Sequence, residues 1–268
     1  MQSLNNLHNS SAWIDHFKQN GAHTRTFDWQ TRHRLPADAI KDIATSIAEF
    51  QRGESSEGRY FMHVSAEFAK AVNDPEYLRA TELFIAEENR HGDMLARFLA
   101  HEEQTIVEST HADSIFRWLR TLGGMEGCIM VLVTAEFIAQ VYYPALRDAT
   151  DSPLLRDICE QIIEDEVHHI RFQMERLALF ALARSWMARK SMGIMHAVLM
   201  TGATGVVWAN HRKVFRRANL GFFRYVGQCY QRYTSARLQV EQTRTRWINA
   251  MTNSSTPADA TSSPRLRA

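Results

Sequence analysis

Two short stretches bring together residue types that could do chemistry: Glu87-Glu88-Asn89-Arg90-His91 and Asp165-Glu166-Val167-His168-His169. Each sets an acidic pair ahead of a histidine that follows the second acid by three residues. On a helix, positions i and i+3 share a face, so Glu88 and His91 can reach one cation together, and Glu166 and His169 another. Carboxylate oxygen with imidazole nitrogen suits divalent ions such as iron and manganese. The likeness extends beyond the motif. Pro75 precedes Glu88 by 13 residues, Pro153 precedes Glu166 by 13, and Ile85 and Ile163 take the same register. Two helical hairpins therefore follow one plan.

A dinuclear centre needs further carboxylates to balance its charge and bridge its ions. In an antiparallel hairpin, residues at one height are equidistant from the turn. The midpoint of Glu57 and Glu88 is 72.5, beside Asn73-Asp74-Pro75, and that of Glu136 and Glu166 is 151, within Asp151-Ser152-Pro153. Pairing Glu88 with Glu67 or Glu49, or Glu166 with Glu126, puts the midpoint inside a helix. Glu54, with a midpoint of 71, is the second choice, about one helical turn from Glu57. Glu136 is also the only charged side chain between Glu126 and Arg147. A lone carboxylate in so apolar a helix costs several kcal/mol. A metal ion removes that cost; protonation or a basic partner would as well.

At this point the sequence resembles the ferritin-like di-metal (di-iron) carboxylate superfamily. Its four-helix bundle contributes a Glu from each of two helices and Glu-x-x-His from each of the other two. The match covers roughly residues 37–184. The resemblance implies metal ligands Glu57, Glu88, His91, Glu136, Glu166 and His169, with Glu87 and Asp165 orienting the imidazoles from outside. It further implies two iron ions, or a manganese–iron pair, and dioxygen or peroxide as oxidant. The expected activity is oxidation or hydroxylation of an organic substrate, that of an oxidase or monooxygenase. Electrons would come from an external donor, since no rubredoxin-like cysteine cluster or flavin motif is visible. Ferroxidase or iron handling, peroxide scavenging and a metal-free structural bundle stand as alternatives, as does a membrane-associated quinone-type hydroxylase or oxidase.

Other side chains have blander readings. His168 should point about 100° from His169 on the helix. Tyr60 and Gln140, three and four residues after Glu57 and Glu136, could face the site as hydrogen-bond partners. Trp118, Trp186 and Trp208 are expected in the core or at an interface. The basic run His211–Arg217 suits a solvated helix end, the alternative being an anionic carrier or membrane surface.

The elements that must position these residues are all helical. The expected fold is a four-helix bundle over 36–184 with two more helices within 185–250, after an arm over 1–35 and before a disordered tail over 251–268. Helices are expected from Pro36 to Asn73, from Pro75 to about His101, around 114–122, from about Met125 to Ala149, from Pro153 to about Arg184, and over 191–216 and 220–247. Few glycines (12) and prolines (6) among 268 residues suit long helices. The stretch Met192–Ala209 reads as a buried or oligomer-facing helix in preference to a membrane span. A net charge of +1 makes no electrostatic case for nucleic acid. Three cysteines without a CxxC pair, and no visible signal peptide, fit a reducing cytoplasmic setting. The expected partners are a small, hydrophobic substrate, the electron donor and a second copy in a homodimer.

Overall fold

Two capped turns fix the hairpins. Asp74 accepts from the Tyr77 amide at 3.2 Å with Pro75 at the first helical position, and Ser152 accepts from the Leu155 amide at 3.3 Å with Pro153 at the equivalent place. Proline there loses no helical hydrogen bond, because the first amides have no partner inside the helix. Asn73, with a φ of 55°, closes the preceding helix in the left-handed region.

The computed structural model describes residues 10–56, 58–107 and 111–254. Its elements are α1 (Ser10–Ala22), α2 (Ala37–Glu54), α3 (Gly58–Val72), α4 (Pro75–His101), α5 (His111–Arg120), α6 (Gly124–Asp148), α7 (Pro153–Ala183), α8 (Trp186–Arg217) and α9 (Phe222–Ser254). No strand occurs among the described residues, so the chain is all-α. One hairpin is α2–α3 against α4, the other α6 against α7, and α4 packs on α7 between them. The helix α1 lies along α4 and reaches α7, where Trp13 Nε1 donates to Glu175 at 2.7 Å. The residues expected to form an unpatterned arm thus include a helix that adds Trp13 and Phe17 to the core.

The periodicity predicts one helix from 36 to 73, and the structure breaks it. α2 stops at Glu54 and α3 restarts at Gly58. Gly53, Ser55, Ser56 and Gly58 are weak helix formers clustered at one place. Ser55 Oγ and its amide both turn back to the Gln51 carbonyl, at 3.0 and 3.2 Å, tightening the last turn. Gly92 on α4 makes room for this turn, since a Cβ there would lie 2.3 Å from Ser55 Oγ.

Among the described residues two helices, α6 and α8, are long and apolar enough to cross a membrane. α6 is buried by the helices around it, which explains its apolarity on every side. α8 packs one side on α6 and α2 and leaves the other uncovered. Trp118 and Trp186, expected in the core or at an interface, are exposed in this chain, whereas Trp208 stacks on Phe215. The tail beyond residue 254 and the first nine residues lie outside the described residues, and 251–254, read as tail, close α9.

Candidate metal centre

Four helices converge on one buried cluster. Glu88 and His91 come from α4, Glu166 and His169 from α7, and one ligand atom of each lies within 4.8 Å of the others. All four are buried, and the two imidazole centroids are 5.4 Å apart. Glu166 sits between the rings, with Oε1 3.6 Å from His91 Nδ1 and Oε2 3.5 Å from His169 Nδ1. Glu88 Oε1 lies 2.5 Å from His169 Nδ1, the imidazole of the other hairpin, out of line for a hydrogen bond. Glu136 from α6 is buried and accepts from Gln173 Nε2 at 2.8 Å.

The fourth helix contributes Glu54, the second choice of the sequence reading. Its carboxylate is buried, accepts from the Tyr143 hydroxyl and lies 3.7 Å from His91 Nδ1. Glu57, the first choice, lies outside the described residues. The height argument assumed an unbroken rod through 36–73; the break after Glu54 removes that assumption.

The outer sides of the imidazoles are held crosswise. Asp165 on α7 takes His91 Nε2 at 2.9 Å, and Glu87 on α4 takes His169 Nε2 at 3.0 Å. These bonds put the Nε2 protons outward and turn both Nδ1 atoms inward. Asn20 of α1 joins the two acids, donating to Glu87 at 2.5 Å and to Asp165 at 2.7 Å. Gln161 donates to both oxygens of Asp165 at 3.0 Å, and Arg90 pairs with Glu87.

Tyr60 and Gln140 make their hydrogen bonds to backbone carbonyls. The Tyr60 hydroxyl donates to the Thr121 carbonyl at 3.4 Å, and Gln140 Nε2 donates to the Ile163 carbonyl at 3.2 Å. Tyr143 and Gln173 supply hydrogen bonds to the inner acids instead. Both were within reach of periodicity, since Tyr143 follows Glu136 by seven residues and Gln173 follows Glu166 by seven, two turns along one face. No periodic signal pointed to Asn20. His168 stands aside from the cluster as expected, its ring 4.2 Å from that of His16.

The electrostatics without an ion are strained. Burial, reinforced by neighbouring carboxylates, holds the Glu88 and Glu136 protons well above the ordinary carboxylate range. Burial opposes charge on Glu166 as well, but Glu136 and the imidazoles outweigh it and lower its pKa. Burial disfavours both imidazolium ions, yet Asp165, Glu166 and Glu54 raise His91 well above its ordinary value, and Glu88, Glu166 and Glu87 do so for His169. Burial likewise works against charge on Glu87 and Asp165, which His169 and His91 nevertheless hold low.

Five inward-facing buried atoms have no hydrogen-bond partner among the described residues: Glu88 Oε1, His91 Nδ1, both carboxylate oxygens of Glu166, and His169 Nδ1. Buried polar atoms are ordinarily satisfied, and each orphan costs about 1–3 kcal/mol. These five are the lone-pair donors that a cation would take, so the residues present fit a bound metal. No family model, no curated protein and no solved structure matches the chain. The case for the centre therefore stands on this geometry.

A cavity reaches the cluster. It encloses about 900 Å³ of unfilled space, its open mouth included, and Glu54, Glu88 and Glu136 form part of its wall. The rest is mainly apolar, including Phe50, Phe116, Val131, Leu132, Ile138 and Val207. Its outer walls are α5 and α8.

Proposed function

We propose that the protein is a non-haem di-metal oxidoreductase of the ferritin-like kind, holding two iron ions or a manganese–iron pair and oxidising a small hydrophobic molecule. The observation that carries this reading is the row of five unsatisfied donor atoms facing one another between α4 and α7. Ionised together, Glu54, Glu88, Glu136 and Glu166 would balance two divalent cations, the two ions displacing the protons that Glu88 and Glu136 otherwise hold. Such a pair, when bound, supplies one-electron chemistry and open positions for dioxygen or peroxide.

The chain's own residues set the rest. His91 and His169 present Nδ1 because Asp165 and Glu87 hold the opposite nitrogens. Glu166, with one oxygen towards each imidazole, would be within reach of an ion held at either histidine. Glu54 stands on the His91 side and Glu88 on the His169 side, and Tyr143 fixes Glu54 through its hydroxyl. The apolar part of the cavity wall would hold an organic substrate beside Glu54, Glu88 and Glu136. Phe50, Phe116, Val131, Leu132, Ile138 and Val207 on the cavity wall favour an organic substrate, although Glu49, Asp113, Arg120 and His211 share that wall.

The test is metal analysis of protein expressed in iron-replete medium, with Glu88→Ala/His169→Ala, Glu54→Ala and Glu57→Ala beside the wild type. Two equivalents are expected in the wild type, loss in the double variant and weakened binding in Glu54→Ala. Retention in Glu57→Ala assigns the α2 ligand to Glu54; loss there restores Glu57. Metal-free wild type overturns the proposal.

A further inference from the structure

The uncovered side of α8 joins two properties that rarely share a soluble surface. Its side chains are apolar: Trp186, Met187, Ile194 and Val198 are between 64% and 74% exposed, and Phe223 at the start of α9 is 88% exposed. The region is also wholly cationic. No Asp or Glu stands between Glu175 and Glu241, while eleven Lys and Arg do. Some of these are used internally: Lys213 and Arg217 pair with Asp42, and Arg184 with Glu126. Lys190, Arg212, Arg216, Arg224 and Arg232 are exposed and have no carboxylate partner among the described residues.

We propose that this face, formed by α8 and the first turns of α9, docks the protein on an anionic phospholipid bilayer. Charge complementarity selects the occupant. A second copy docked through the same face would bring like-charged surfaces together, since Asp42 and Glu126 beside it are already paired within the chain. Anionic headgroups supply the missing charge, while the apolar side chains enter the acyl boundary beneath them. Lys and Arg can lay their stems along apolar surface and keep their charges among the headgroups.

The helix lies on the bilayer and does not cross it. His196, Met200, Ala203, Thr204, Val214 and Phe215 on its other side are buried in the protein. α9 keeps it there, with Tyr225 donating to the Thr204 carbonyl at 3.3 Å and Tyr230 bonded to Thr201. α5, across the cavity, carries the exposed Ile115 and Trp118, and the exposed Leu122 follows it. Both outer walls of the cavity therefore present apolar side chains outward. Docking stands whether or not the cluster holds metal.

The experiment co-sediments full-length protein with phosphatidylcholine vesicles and with vesicles of phosphatidylcholine and phosphatidylglycerol, alongside sedimentation velocity without lipid. Binding is expected on the anionic vesicles, weaker at raised salt, and released by alkaline carbonate. Val198→Ser/Phe223→Ser and Arg212→Glu/Arg216→Glu should each lower it by at least about tenfold, as expected for losing buried apolar surface or headgroup attraction. Both variants change exposed positions, so circular dichroism should be unaltered. Equal affinity for the two vesicle types overturns the proposal, as does resistance to carbonate. A lipid-indifferent dimer that Val198→Ser dissociates assigns the face to a second copy.

Discussion

Glu136→Gln distinguishes a metal ligand from a structural side chain by reversing an order of stability. The Glu136 carboxyl is buried in the apolar α6, accepts from Gln173 at 2.8 Å, and keeps its proton well above the ordinary range because of burial and the nearby Glu166 and Glu88. Glutamine is close to isosteric and retains an acceptor for Gln173. A carboxyl whose folded pKa is raised has no effect on stability below its unfolded value of about 4.3, and lowers stability as pH climbs from there towards the folded value. In chelator the variant should therefore melt above the wild type, by a gap that widens as pH rises through that window. The cost of an imperfectly satisfied buried polar group is about 1–3 kcal/mol. For a chain of this size about 2–4 °C accompanies each kcal/mol. The gap is then about 2–12 °C at neutral pH. Metal inverts the order: an ion at a hundredfold excess over its Kd adds about 2.7 kcal/mol, or about 5–10 °C, to the wild type. The variant, with one inner carboxylate fewer, should gain much less. Anaerobic calorimetry in EDTA and in ferrous or manganous salt reads both effects. A variant less stable than wild type in EDTA, or a wild-type Tm that neither ion moves, refutes the reasoning.

Three further outcomes are expected. Asn20→Ala removes the amide shared by Glu87 and Asp165, lowering stability by about 1–3 kcal/mol and metal affinity by about 10–100-fold in chelator competition. Gly92→Val drives a side chain into Ser55 and displaces the end of α2 with Glu54, so metal affinity should fall while helical circular dichroism persists. Ala135→Trp occupies the cavity beside Glu136; turnover of a hydrophobic substrate should be lost with metal content unchanged.

The features legible in the sequence are those that local rules control. The proline-bearing turns, the helical class and the doubled Glu-x-x-His follow from capping chemistry and the 3.6-residue period, and each lies within one helix. Glu54 was ranked second because its placement depends on a break whose effect on register is tertiary: the turn at Ser55 and Ser56 settles against Gly92 of another helix. Asn20 could not be read at all, since its part is defined only when α1 lies across α4 and α7. The position of Gln140 beside Glu136 left its hydrogen-bond partner open, and the Ile163 carbonyl takes its amide. The acid-free span from 176 to 240 was in plain view, but only the packing of α8 reveals which of its residues stay uncovered.

The crosswise grip on the imidazoles makes the two related hairpins obligate partners. Each retains its own histidine but depends on the other's acid to aim it, so neither half carries a working coordination unit. Severing the connection after α4 should leave two fragments with no independent affinity for a cation, which regain it only on mixing. The same dependence couples their substitutions: a change at Glu87 is felt at His169, 82 residues away in sequence.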